Sequence, residues 1–168
     1  MQAHTKTNDG PADAAYMQRP IAALDIGRAR IGVAIGDPGT QMALPRFVLE
    51  RKGTRRDLDQ LLPAFEREAA CAVVVGLPPS TDADGALSDS ARLARGFAAR
   101  LAARWSGPVF LVDEAGTTVE AEAELARLGY RAARRRRHVD KIAAARILDR
   151  FYADPAAAER VPNDTGDR

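Results

Sequence analysis

The run Ile21-Ala-Ala-Leu-Asp-Ile-Gly-Arg-Ala-Arg-Ile-Gly-Val-Ala-Ile-Gly-Asp37 constrains the fold more than any other stretch of the chain. Residues 21–26 and 31–35 are short, apolar and rich in branched side chains, with glycines at their bounds, which favours strands over helix. Gly27-Arg-Ala-Arg30 supplies the turn between them. One carboxylate, Asp25, interrupts the first run. An acid inside a buried strand is costly unless something pairs with its charge. A bound cation is one such partner. A hydrogen-bonded structural role at a strand end is the other, and this stretch by itself leaves both open.

The rest of the chain suits one domain with a real core: 168 residues, 46% hydrophobic and 29% charged. No apolar run approaches membrane-spanning length, and the N-terminus lacks a signal-type apolar region, so a cytoplasmic address is expected and a membrane partner is not. The single cysteine, Cys71, rules out an internal disulfide framework, and its place in Cys71-Ala-Val-Val-Val75 suggests a buried small hydrophobe. Net charge is only +2 but is unevenly placed. Residues 127–141 hold Arg127, Arg131, Arg134, Arg135, Arg136, Arg137 and Lys141 against Asp140 alone, a local +6 that leaves −4 for everything else. A basic stripe on a mildly acidic body suggests a polyanion site. Lysine supplies only three of the 25 basic residues, and arginine forks phosphate bidentately. A general arginine bias accounts for the excess over the whole chain but less well for the clustering.

Taken in order, residues 1–19 are polar and without periodicity and read as a disordered tail, with Met17 a second candidate start. Residues 20–153 read as the domain and 154–168 as a flexible C-terminal tail. After the first two strands, a third is expected past Pro45, in Met42-Ala-Leu-Pro-Arg-Phe-Val-Leu-Glu50, antiparallel to its neighbour. Leu58, Leu61, Leu62 and Phe65 predict an amphipathic helix over 57–68, with Pro63 a candidate kink. Cys71-Ala-Val-Val-Val-Gly-Leu-Pro78 and Pro108-Val-Phe-Leu-Val-Asp113 read as buried parallel strands, separated by a polar loop and a helix over 86–104. Thr117-Thr-Val-Glu120 is a capping box opening a helix that stops at Gly129. A last helix is expected from near Asp140. This βββαβαβαα order predicts a ribonuclease-H-like α/β fold: a five-stranded mixed sheet, three strands antiparallel and two parallel, with helices on both faces.

Such a fold can gather Asp25 in the first strand, Glu114 after the last and Asp140 at the final helix. Two or three carboxylates around one cleft suit Mg²⁺ or Mn²⁺, hard ions that prefer oxygen. A pair of such ions about 4 Å apart activates water against a phosphodiester. His4 and His138 stand apart, which disfavours zinc. Each acid also has a plainer role: Asp140 as a helix N-cap, Glu114 or Asp113 as a solvated loop acid. The arginine run can likewise be a solvated surface loop, and His138 a structural or solvent-facing residue.

Four segments sharpen the choice. Leu24-Asp-Ile-Gly-Arg-Ala-Arg-Ile-Gly-Val-Ala34, Val74-Val-Gly-Leu-Pro78 with Asp84-Gly85, Val112-Asp-Glu-Ala-Gly-Thr-Thr-Val-Glu-Ala121 and Val139-Asp-Lys-Ile-Ala-Ala144 resemble, in order and spacing from about 20 to 153, the YqgF/RuvX family. The resemblance implies a ribonuclease-H-like fold related to RuvC resolvases. It also implies a nuclease maturing the 5′ end of pre-16S ribosomal RNA, with some members resolving Holliday junctions. It places the metal-holding catalytic acids at Asp25, Glu114 and Asp140, a phosphate contact at Arg30, and the motif's hydroxyl pair at Thr117 and Thr118. One departure stands out: the family usually has arginine after the Asp-Glu pair, and here Ala115 and Gly116 follow.

The expected activity is therefore a Mg²⁺- or Mn²⁺-dependent endonuclease on structured RNA or branched DNA. Arg30, Arg134, Arg135, Arg136, Arg137 and Lys141 are its expected phosphate contacts. A non-catalytic nucleic-acid-binding assembly factor is the alternative from another class, and the presence of all three acids argues against it. A nucleotide-binding protein of actin or sugar-kinase type shares the Asp-x-Gly hairpin but needs two such domains, and 168 residues supply one. Two symmetric cuts in a junction would require a dimer, so both monomer and homodimer stay open.

Overall fold

The two opening strands pair as their sequence predicts. β1 (Ile21–Ile26) and β2 (Arg30–Gly36) run antiparallel with Asp25 opposite Gly32. The computed structural model describes residues 16–79, 85, 86, 88–114, 123, 126–129 and 132–163, without the side chains of 132–138. β3 (Ala43–Glu50) adds to β2, again antiparallel, with a register shift between Val33 and Ala34. α1 (Thr54–Arg67) leads to β4 (Ala72–Leu77), parallel to β1, and α2 (Asp89–Ala102) leads to β5 (Val109–Asp113), parallel to β4. α3 (Ala132–Ala153) closes the sheet's other face.

Strand alternation divides the core in two. Ala22, Leu24 and Ile26 of β1 join Leu58, Leu61, Phe65, Phe97 and Leu101 of α1 and α2 in one cluster. Ile21 and Ala23 join Phe110, Ala144, Ile147, Leu148 and Phe151 in the other, under α3. Asp25, two residues on from Ala23, belongs by this period to the α3 face.

Several expectations are corrected. Among the described residues the sheet has six strands, because β6 (Glu159–Arg160) pairs antiparallel with β5, giving the order β3-β2-β1-β4-β5-β6. Residues 155–163, read as tail from their polarity, are a strap: Ala158 and Val161 are buried, and Arg95 grips Glu159 bidentately at 2.9 and 3.0 Å. Second, α3 begins at Ala132, so Asp140 lies two turns inside the helix and cannot be its N-cap, and the arginine run occupies helix and not loop. Alanines around the arginines supply the helix propensity that the charge run obscured. Third, α1 opens at Thr54: the N–H of Asp57, the expected first residue, already donates to the Gly53 carbonyl at 2.9 Å, and its buried carboxylate pairs with Arg51. Cys71 is half-buried rather than in the core. The start of the chain, 1–15, and the Thr117 to Glu120 capping box lie outside the described residues; Gly129 does take the left-handed φ of +77° expected at a helix stop.

Truncation after Asp154 is expected to lower stability by about 2 kcal/mol, the order for re-exposing Val161, Ala158 and the β5 surface beneath them. Urea denaturation reads this directly; an unchanged midpoint would show that the strap adds nothing.

Candidate active site

Asp25 sits one step from the end of β1, and both neighbouring strands present a glycine to it. On β2 the register partner is Gly32. With no side chain there, α3 settles onto the strand so closely that a Cβ on Gly32 would overlap the backbone carbonyl of Asp140. On β4 the residue one step beyond the Leu24–Val75 pair is Gly76. A Cβ on Gly76 would lie 2.5 Å from Glu114 Oε2. Glu114 follows β5, its N–H bonded to Leu77 O at 3.0 Å, and its side chain crosses β4 over this glycine to reach Asp25. The two glycines thus make the cleft in which acids from β1, β5 and α3 approach one another.

Asp25 and Glu114 are hydrogen-bonded to each other. Burial, then the negative charges of Glu114 and Asp140, hold the Asp25 carboxyl well above the usual carboxylate range. Burial likewise raises Glu114, with the charge of Asp113 adding to it, while its bond to Asp25 opposes. Each carboxyl of the pair therefore holds a proton more tightly than it would in water. Asp140 faces the pair from α3 but is engaged by Arg30, whose Nε donates to its Oδ2 at 2.6 Å. Among the described residues no three acids, histidines or cysteines stand close enough to enclose one ion as placed. The three acids expected as a triad are placed as a bonded pair, Asp25 and Glu114, with Asp140 beside it turned to an arginine.

Of the expected phosphate contacts, Arg30 is thus committed through Nε to Asp140. Lys141 lines a groove of about 340 Å³ with Arg46, Phe47, Val48 and Glu50. Arg134, Arg135, Arg136 and Arg137 lie in the first turns of α3, and their side chains, with that of His138, fall outside the described residues, as do Ala115, Gly116, Thr117 and Thr118. Gly32, Gly76, Arg51 and Asp57 were not singled out from sequence. The signal for the glycines was present: a glycine inside a strand marks a close approach.

A comparison with family models matches residues 19–154 to RuvX, described as Holliday junction resolvase. The chain belongs to the RuvX family. Among its curated relatives, a Nitrosomonas europaea protein is 38% identical over 132 residues, covering 79% of this chain and 88% of the relative. An Anaeromyxobacter protein is 41% identical over 125 residues, covering 74% and 90%. Both carry the name "Putative pre-16S rRNA nuclease". Among solved structures, Thermus thermophilus RuvC in complex with a Holliday junction substrate superposes with a TM-score of 0.54 at 19% identity, over 85% of this chain and 99% of that one. That likeness establishes the ribonuclease-H-like fold. As a RuvX chain the protein is a nuclease, and so a hydrolase. Among the described side chains its cleft offers carboxylate oxygens with no cysteine or histidine, and a cation would offset the cost of burying the charges of Asp25 and Glu114, which fits a hard divalent metal. No helix among the described residues is long and apolar enough to cross a membrane.

Proposed function

We propose that this RuvX chain is a cytoplasmic, Mg²⁺- or Mn²⁺-dependent endonuclease that trims the 5′ end of pre-16S ribosomal RNA. The observation that carries this reading is the buried, hydrogen-bonded Asp25–Glu114 pair, set at the strand ends beside Asp140. Asp25 and Glu114 would hold the cation, with Asp140 completing its shell once Arg30 yields. When bound, the metal lowers the pKa of a water and steadies the leaving oxygen of the phosphodiester. The chain's own residues do the rest: burial strengthens the field of the acids, Arg30 orients Asp140, and Lys141 with Arg134 to Arg137 hold phosphates in a salt-sensitive, sequence-tolerant way. The names of the relatives support RNA as substrate.

A second reading, cleavage of four-way DNA junctions by a homodimer, is favoured by the description of the family. Both substrates are tested side by side: a precursor 16S 5′-leader RNA and a four-way DNA junction, each with Mg²⁺ and with Mn²⁺. Trimming of the RNA with the junction bound but intact is the expected result. Paired symmetric cuts in the junction with the RNA spared would replace the first reading by the second. No cleavage of either would leave a binding protein.

A further inference from the structure

We propose that Arg51 and Asp57, on the sheet face opposite the cleft, are positioning residues for it, a reading that rests on the cleft being the catalytic site. Asp57 is the one fully buried acid among the described residues, and the Arg51 side chain is 9% exposed. Each of the three guanidinium nitrogens donates. Nε donates to Asp57 Oδ2 at 3.1 Å, one Nη to Thr54 Oγ1 at 3.3 Å, and the other to the Gly27 carbonyl at 3.2 Å. The guanidinium stands 5.6 Å from the Phe97 ring centroid, and Asp57 Oδ1 accepts from the Lys52 N–H at 2.8 Å.

A buried ion pair rarely stabilises a fold more than apolar side chains of the same volume would. What apolar side chains lack is direction, and here the direction is toward one peptide group. Gly27 lies two residues beyond Asp25, in the turn that carries Arg30. Its carbonyl is held by Arg51, and its N–H donates to Arg30 O at 2.8 Å. Arg51 N–H also donates to Ala29 O at 2.9 Å. Arg30 Nε in turn holds Asp140. Hydrogen bonds linked by the covalent chain of Gly27 and Arg30 therefore run from Asp57 through Arg51 and the turn to the Asp140 carboxylate on the other face of the sheet. Arg28 and Ala29 are exposed, and the Arg28–Asp89 ion pair at 3.3 Å joins two exposed side chains, so it fixes the turn less firmly than the buried clamp does. Groups that hydrogen-bond a metal ligand directly typically change metal affinity by about 10- to 100-fold; Arg51 acts through the turn that carries Arg30, which bonds Asp140, so the lower end of that range is expected.

The test uses Arg51→Lys, which keeps charge and loses the fork, and Asp57→Asn, which keeps the acceptor for Lys52 and serves where the first fails to fold. Leu101→Ala, a cavity in the same core, is the control for plain destabilisation. Two readouts are taken on the full chain: the Arg30 Nε–H resonance, assigned by its loss in Arg30→Lys, and Mn²⁺ affinity by calorimetry. Both clamp variants are expected to shift the Arg30 resonance and to weaken Mn²⁺ binding about 10-fold, with Leu101→Ala moving neither despite a lower urea midpoint. Folded clamp variants with the wild-type resonance and Mn²⁺ affinity would overturn the proposal, as would equal shifts in Leu101→Ala. If wild type binds no Mn²⁺, the metal reading of the cleft falls, and the Arg30 resonance alone decides whether the clamp positions the turn.

Discussion

Asp25→Asn is expected to abolish cleavage and, in metal-free protein at neutral pH, to raise the melting temperature. The two effects have one cause. Burial and the charges of Glu114 and Asp140 raise the Asp25 carboxyl above its unfolded value. A raised acid binds more protons folded than unfolded, so its contribution to stability is present at acid pH and is lost as pH rises through the folded value. Ionising Asp25 in the wild-type cleft is therefore unfavourable, a cost that asparagine removes while still able to donate to Glu114. The same ionisation is what a divalent cation needs, since metal and proton compete for the carboxylates. Wild type should thus gain stability from Mn²⁺ increasingly as pH rises, by about 2.7 kcal/mol at a hundredfold excess over the dissociation constant, and the variant should gain little. Loss of the ligand should lower the cleavage rate by about 10³-fold or more, or ~4 kcal/mol of barrier.

Melting curves from pH 4 to 8, with EDTA and with Mn²⁺, check the stability half. A variant that melts below wild type in EDTA at pH 7 would show that the Asp25 charge is not a burden to the fold. Wild-type cleavage by a clean preparation of the variant would remove Asp25 from the reaction.

How much of this was legible before the structure divides along physical lines. The strands were readable because their signals are local: β-branched runs bounded by glycine at 21–26, 31–35 and 72–77 form strands wherever they lie, and the register of a tight hairpin follows from its turn. The acids were readable as candidates because an isolated carboxylate in an apolar strand is anomalous by itself. Their relation was not. Whether Asp140 faces Asp25 depends on how near α3 approaches β2, which is set by the absence of a side chain at Gly32, a residue 108 positions away from Asp140 in the chain. The start of α3 was misplaced because four consecutive arginines look like solvated loop, while alanines on either side of them carry the helix. The strap was missed because Glu159–Arg160 has no strand signature; it forms because β5 would otherwise present an open edge.

Gly32→Ala should be the most damaging single-methyl change in the chain. The added Cβ meets the carbonyl oxygen and carbon of Asp140, backbone atoms that no rotamer change can move aside. The helix itself must lift, and α3 covers β1, β2 and β3 together, so Ala144, Ile147 and Leu148 lose packing at the same time. Overpacking of this kind costs about 3 kcal/mol, a melting shift on the order of 10 °C for a chain of this size. Lifting the helix also carries Asp140 away from Asp25, so cleavage should fall further than the loss of folded protein explains. Gly76→Ala supplies the contrast. Its Cβ meets side-chain atoms and no backbone, Glu114 Oε2 at 2.5 Å with Cδ1 and Cγ1 of Ile147, so side chains and not the helix must shift. That variant should keep most of its stability and still lose cleavage, because Glu114 can no longer cross β4 to Asp25. The two glycines therefore separate what holds the helix from what holds the acids. Urea midpoints with cleavage rates on the folded fraction measure both. A Gly32→Ala protein with the wild-type midpoint would mean that α3 does not rest on β2 at that point, and a fully active Gly76→Ala protein would mean that Glu114 works without reaching Asp25.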